Sequence, residues 1–159
     1  MDLRVRPMTA DDAALVAGWR YVDKASVYNL DSPRPLLEEL DCFHAVTDAG
    51  TLIGFCCAGK AARVAGMCEE PDTLDIGMGM DPALMGRGHG AAFGRAVLRY
   101  LTSRHPGQAL RAVVQDWNQR SLQLTRRLGF ADAGELIVRQ NGRPVRYRVV
   151  VKSSKPSSL

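Results

Sequence analysis

The stretch Leu74-Asp75-Ile76-Gly77-Met78-Gly79-Met80-Asp81-Pro82-Ala83-Leu84-Met85-Gly86-Arg87-Gly88-His89-Gly90 decides how this chain is read. Residues 74–80 are apolar enough for a strand. The glycines at 77 and 79 inside it mark a bulge or the close approach of a ligand. Asp81-Pro82 ends that strand. Gly86, Gly88 and Gly90 then alternate with Arg87 and His89. A helix follows to about Ser103, with Ala92, Phe93, Ala96, Val97, Tyr100 and Leu101 at helical spacing. A strand, a glycine loop and a helix N-terminus in succession make an anion site. The first helical N–H groups have no internal acceptor, the helix dipole favours negative charge, and glycine lets the backbone approach phosphate oxygens. The loop lacks the Gly-Lys-Ser/Thr ending of NTPase phosphate loops and the G-x-G-x-x-G spacing of dinucleotide sites. The alternative is a plain glycine-rich turn; its place before an amphipathic helix favours phosphate.

Upstream of this stretch, Leu3–Val5 reads as a first strand. Thr9 opens a helix, with Asp12 placed for a capping box and Leu15, Val16 and Trp19 as its apolar stripe. A second helix starts near Asp31-Ser32-Pro33, with Leu36, Leu37 and Leu40 as its buried face. Cys42–Thr47 and Thr51–Ala58 flank Asp48-Ala49-Gly50 and form a hairpin, and residues 60–72 read as a loop. Downstream, Leu110–Gln115 is a strand. Asn118 caps a helix through Leu128, which Gly129 ends. Two final strands flank Asn141-Gly142, a strong hairpin signal. The expected fold is therefore α/β, in the order β-α-α-β-β-β-α-β-α-β-β. It is a mixed, mostly antiparallel central sheet with helices on both faces. Residues 1–152 form a single domain, and 153–159 a Ser/Pro-rich flexible tail.

The chain has 159 residues, 46% hydrophobic and 24% charged, a size and composition that exclude intrinsic disorder as the main state. No run reaches the roughly 18 apolar residues of a membrane helix, and the N-terminus has no signal-peptide stretch. Cys42, Cys56, Cys57 and Cys68 form no CxxC pair and have no histidine at zinc spacing. A cytoplasmic protein without a metal is the expectation. The net charge of +4 conceals an asymmetry: residues 1–80 hold seven Lys/Arg and thirteen Asp/Glu, and residues 81–159 hold fourteen and four. The basic strand residues Arg139, Arg143, Arg146, Arg148 and Lys152 raise nucleic-acid binding, but no aromatic stacking set accompanies them.

Two blocks resemble the GNAT superfamily, the Gcn5-related N-acetyltransferases. The first is the frame Met80 to Gly90, similar to Gln/Arg-x-x-Gly-x-Gly/Ala after a strand ending in hydrophobic-x-Pro, with Met85 in place of the usual Gln or Arg. The second is Asn118, Ser121, Arg127, Gly129 and Phe130, at the spacing of the family's second block. The resemblance implies acetyl transfer from acetyl-CoA to a primary amine, of a small molecule or a peptide, without a metal. It implies that Met85, Gly86, Arg87, Gly88, His89 and Gly90 hold the CoA pyrophosphate. The backbone of Met78 and Met80 would pair with the pantetheine arm, and Asn118 would lie near it. Asp75, in the run Asp75-Ile76-Gly77, matches a Glu of the ribosomal-protein branch and is the expected base, acting through water. The alternative for Asp75 is a hydrogen-bonding strand residue. Thr125 stands where the family often has an acidic Tyr, leaving water, Tyr28 or Tyr147 to protonate the thiolate. Trp19, Tyr21 and Tyr28 fall where the family binds its acceptor, and packing is the alternative for Trp19. Protein N-terminal acetylation and a non-catalytic acyl-CoA-binding module are the competing functions. A monomer or homodimer is expected, with neither membrane nor nucleic acid as partner.

Overall fold

The computed structural model describes residues 1–154. The strands are β1 (Leu3–Pro7), β2 (Phe43–Asp48), β3 (Thr51–Ala58), β4 (Thr73–Met80), β5 (Ala109–Gln115), β6 (Ala131–Gln140) and β7 (Arg143–Lys152). The helices are α1 (Ala10–Ala17), α2 (Arg34–Glu38), α3 (Gly90–Arg104) and α4 (Gln119–Arg127). Seven strands make one sheet in the order β1-β2-β3-β4-β5-β7-β6. Strands β4 and β5 pair in parallel, whereas β1–β2, β2–β3, β5–β7 and β6–β7 are antiparallel. Element order and sheet type agree with the sequence reading. The expected tail begins at 153, and its residues 155–159 lie outside the described residues.

The chain forms two compact units. The first comprises Met1–Cys57 and Met78–Val97; the second comprises Ala58–Gly77 and the chain from Leu98 onward. In the first, α1 starts as its sequence demands. The Thr9 hydroxyl accepts from Asp12 N–H, and the Asp12 carboxylate accepts from Thr9 N–H, a reciprocal cap. Two guanidinium N–H groups of Arg6 also donate to Asp12, at 2.5 and 3.0 Å. Folding thus pulls this carboxyl down to about 2, chiefly through the Arg6 bonds. Gly18 ends α1 after eight residues, so its buried side is Asp12, Ala13, Val16 and Ala17. Leu15 faces solvent, and Trp19 lies beyond the helix end, so the apolar stripe expected from Leu15, Val16 and Trp19 holds only at Val16. Helix α2 is one turn long and buries Leu36, while Leu37 is exposed. The segment Asp23–Tyr28 between them is a 3-10 helix with no buried residue and no apolar period to announce it.

The β2–β3 turn has Ala49 and Gly50 both at positive φ, 49° and 88°, the twist a two-residue hairpin requires. Gly54 on β3 is buried under the Phe93 ring of α3, where a Cβ would overlap that ring. In the second unit, β5, β7 and β6 carry Leu110, Val138, Tyr147 and Val150 into a core shared with Leu101, Leu122, Leu128 and Phe130. Strand β6 carries a bulge between Asp132 and Gly134.

Candidate active site

The last residues of β4 lead straight into the glycine loop, and local hydrogen bonds fix the turn. Asp81 N–H donates to Ile53 O of β3 at 2.8 Å, which holds the strand end against its neighbour. The Asp81 carboxylate accepts from Ala83 N–H at 2.9 Å and opens a short 3-10 turn over Pro82–Leu84. The turn closes with Leu84 N–H on Asp81 O and Met85 N–H on Pro82 O. Gly86 and Gly88 then adopt φ of 76° and 81°. A Cβ on Gly88 would meet nothing within 4 Å, so it is the left-handed backbone, not crowding, that calls for glycine there. Helix α3 begins at Gly90, and Phe93 N–H donates back to His89 O at 3.0 Å. Gly86, Arg87 and Gly88 are exposed. The fifteen-residue helix thus presents its free first-turn N–H groups beside an open, glycine-lined loop, an arrangement suited to a diphosphate.

On β4 itself, Gly79 leaves room that another residue supplies. A Cβ at Gly79 would stand 2.6 Å from the Phe55 ring. Phe55 in turn packs against Trp19, with centroids 6.3 Å apart, and Phe43, 6.1 Å apart. Trp19 therefore reaches β4 through Phe55, a residue the sequence reading missed. The Tyr21 hydroxyl donates to the carbonyl of Met80 at 2.7 Å. Asn29 fixes the Tyr21 backbone from both sides, accepting from its N–H at 2.7 Å and donating to its carbonyl at 3.2 Å. Burial, then the charge of Asp81 and the neighbouring Tyr28, push the Tyr21 hydroxyl up to about 12, so it stays a proton-bearing donor at neutral pH. Tyr28 meets Tyr21 edge-on at 6.1 Å and is 39% exposed. The first unit thus gathers Tyr21, Tyr28, Met78, Met80 and the loop from Met85 to Gly90, with Trp19 joined through Phe55.

Asp75 and Asn118 belong to the second unit. Asp75 is 2% exposed, and its carboxylate is held by two arginines. Arg111, in register with it on β5, donates from Nε to Oδ1 at 2.6 Å and from Nη2 to Oδ2 at 3.1 Å. Arg63 donates from Nη1 to Oδ2 at 3.1 Å. The expectation of a carboxylate free to take a proton therefore meets one whose two oxygens already accept three N–H groups. Neither arginine was singled out from sequence; the parallel pairing of β4 with β5 that brings Arg111 opposite Asp75 is a tertiary fact. Arg111 also donates to Cys68 O at 2.7 Å, fastening the loop before β4. Asn118 is the N-cap of α4, accepting from Ser121 N–H at 3.2 Å. The Thr125 hydroxyl is bonded to Leu122 O at 2.7 Å, inside its own helix. Tyr147 is buried, and its hydroxyl accepts from Gln140 at 2.9 Å. Burial pushes the Cys56 thiol up to about 12, which makes it chemically quiet. Among the described residues, no group of three or more His, Cys, Asp or Glu is placed to hold a metal ion. No described helix is long and apolar enough to cross a membrane.

Comparison with known proteins gives this geometry a family. The family model described as an acetyltransferase (GNAT) domain matches residues 2–131. A solved structure of a candidate phosphinothricin N-acetyltransferase superposes with a TM-score of 0.75 at 18% identity, covering 98% of this chain and 100% of that one. A chimera of spermidine N-acetyltransferase SpeG from Vibrio cholerae and hSSAT gives 0.73 at 16%, covering 97% and 96%. A candidate acetyltransferase, yncA from Salmonella typhimurium, solved with its cofactor acetyl-CoA, gives 0.63 at 16%, covering 100% and 98%. At these identities the structural likeness is one of fold. A search among curated proteins returned no match. With a family model running through most of its length, the chain belongs to the GNAT acetyltransferases and is an enzyme of that kind.

Proposed function

We propose that the protein transfers the acetyl group of acetyl-CoA to a primary amine by direct attack while both are bound, within one domain spanning residues 1–152. The observation that carries this reading is the exposed glycine loop opening α3 directly after the end of β4. In this reading the backbone N–H groups of Arg87, Gly88, His89 and Gly90, with Gly86 and Met85 beside them, receive the pyrophosphate. Backbone groups of Met78 and Met80 hold the pantetheine arm as an added strand would be held. The Met80 carbonyl already accepts from Tyr21, which leaves its second lone pair for that pairing. Acetyl-CoA supplies the acetyl group as a thioester. The amine nitrogen forms the new C–N bond as the C–S bond breaks, and a backbone N–H of β4 supports the carbonyl oxygen as charge develops.

Trp19, Tyr21 and Tyr28 are the acceptor-side residues of this reading. Asp75 enters it as a positioning residue, since its oxygens are committed to Arg63 and Arg111; the ammonium proton leaves to water. Thr125 donates within its helix, so the thiolate takes its proton from water as well. A CoA thiolate, with a pKa near the ~8.5 of a cysteine thiol, leaves without a strong acid. Asn118 is assigned a place near the cofactor arm in addition to its cap. The test is release of free thiol from acetyl-CoA against a panel of small amines and peptide N-termini. Acceptor-dependent release supports the reading. Tight CoA binding with no release for any acceptor would mean a binding module instead.

A further inference from the structure

Two arginines converge on Asp75, and they differ in how many of their donors are used. Two guanidinium groups, Arg63 and Arg111, share one carboxylate. Arg111 has further partners: it donates to Cys68 O and lies 3.8 Å from Glu70. Among the described residues, the Arg63 guanidinium makes a single hydrogen bond, Nη1 to Asp75, although a guanidinium carries five N–H donors. Its side chain is only 22% exposed. It lines a half-open cavity of about 440 Å³ within the second unit, together with Asp75, Glu69, Glu70, Asp72 and His105. A mostly buried arginine whose planar fork is unspent matches a carboxylate, which it can grip through two parallel bonds. The carboxylates of Glu69, Glu70 and Asp72 on the same cavity would repel a simple anion. A ligand carrying both charges satisfies both sides.

We infer that this cavity is a binding site for a small zwitterion of the amino-acid type, its carboxylate on Arg63 and its ammonium toward Glu69, Glu70 and Asp72. Asp75 holds Arg63 by one N–H, and both residues line the cavity. The volume lies within the range of small-molecule sites. This inference concerns binding in the second unit; it shares Asp75 with the acetyl-transfer reading, but its test reads binding without acetyl-CoA and so fails separately from that reading.

The test is calorimetry of the whole protein, without acetyl-CoA, against the twenty common amino acids. For the tightest binder, its C-terminal amide and its decarboxylated amine are measured as well. Binding by the amino acid should fall roughly 10- to 100-fold in both analogues, which lack the carboxylate. These comparisons use the unaltered protein and depend on no variant folding. Arg63→Gln should lose binding to the same degree. Arg63→Lys, which keeps the charge but not the fork, should recover only part of it. No binding by any amino acid at millimolar concentration overturns the inference. So does equal binding of the amide, or a folded Arg63→Gln protein that binds as the parent does.

Discussion

Asp12 shows how much one side chain can do at a helix start. It completes the cap on Thr9 and takes two N–H groups from Arg6 while almost fully buried. Folding lowers its carboxyl from 3.8 to about 2. Its contribution is therefore whole above pH 4 and is lost as pH falls toward 2. Denaturant titrations of the parent should show stability dropping across that window, and Asp12→Asn should flatten the drop. Thr9→Ala, which removes the other half of the cap, should cost about 1 kcal/mol at neutral pH. Asp75 answers to a different rule. Removing its charge strands two arginines in a partly buried place, so Asp75→Asn should destabilise by about 3 kcal/mol or more in chemical unfolding. If Asp75 were instead an open catalytic carboxylate, the same variant would unfold like the parent and lose only turnover. Tyr21 acts through Met80. Tyr21→Phe should raise the KM for acetyl-CoA by roughly 5-fold, as expected when one hydrogen bond of about 1 kcal/mol is lost.

Among the elements, those with local causes were legible in the sequence. The cap pair Thr9 and Asp12, the turns at Ala49-Gly50 and Asn141-Gly142, the cap at Asn118 and the strand–loop–helix passage from Leu74 onward are each fixed by residues close in the chain. The 3-10 segment at Asp23–Tyr28 was not legible, because nothing in it is buried and so no period marks it. Leu15 and Leu37 were misplaced because they fall on the exposed sides of the short helices α1 and α2, away from the residues those helices bury. Glycine has two distinct roles here, and substitution separates them. Gly54→Ala forces a methyl into the Phe93 ring and should cost about 1–3 kcal/mol of stability, read by thermal or chemical unfolding. Gly88→Ala meets no atom but strains a backbone at φ 81° in the loop proposed to bind the pyrophosphate. It should weaken acetyl-CoA binding in calorimetry more than it lowers the melting temperature.

For the whole molecule, the two motif blocks of the sequence and the order of its strands pointed to one family, and the family model through residues 2–131 agrees. What no local reading could supply was the pairing of distant residues: Phe55 under Gly79, Tyr21 on Met80, and Arg63 with Arg111 on Asp75. These depend on the sheet order, and the acceptor side proposed for this chain is made of such pairings. The modest net charge of +4 also gains a meaning at this scale. Its excess of Lys and Arg lies in residues 81–159, where both family blocks fall. Acetyl-CoA binding should accordingly weaken as salt is raised from about 0.05 to 0.5 M, since the Debye length shrinks severalfold over that range. The most direct test of the central claim is a backbone-amide NMR titration of the protein with acetyl-CoA. The account predicts the largest shifts at the amides of Arg87 to Ala92, with a second set at Met78 to Met80. Saturable binding that leaves those amides unmoved, or shifts centred on another part of the chain, would contradict it.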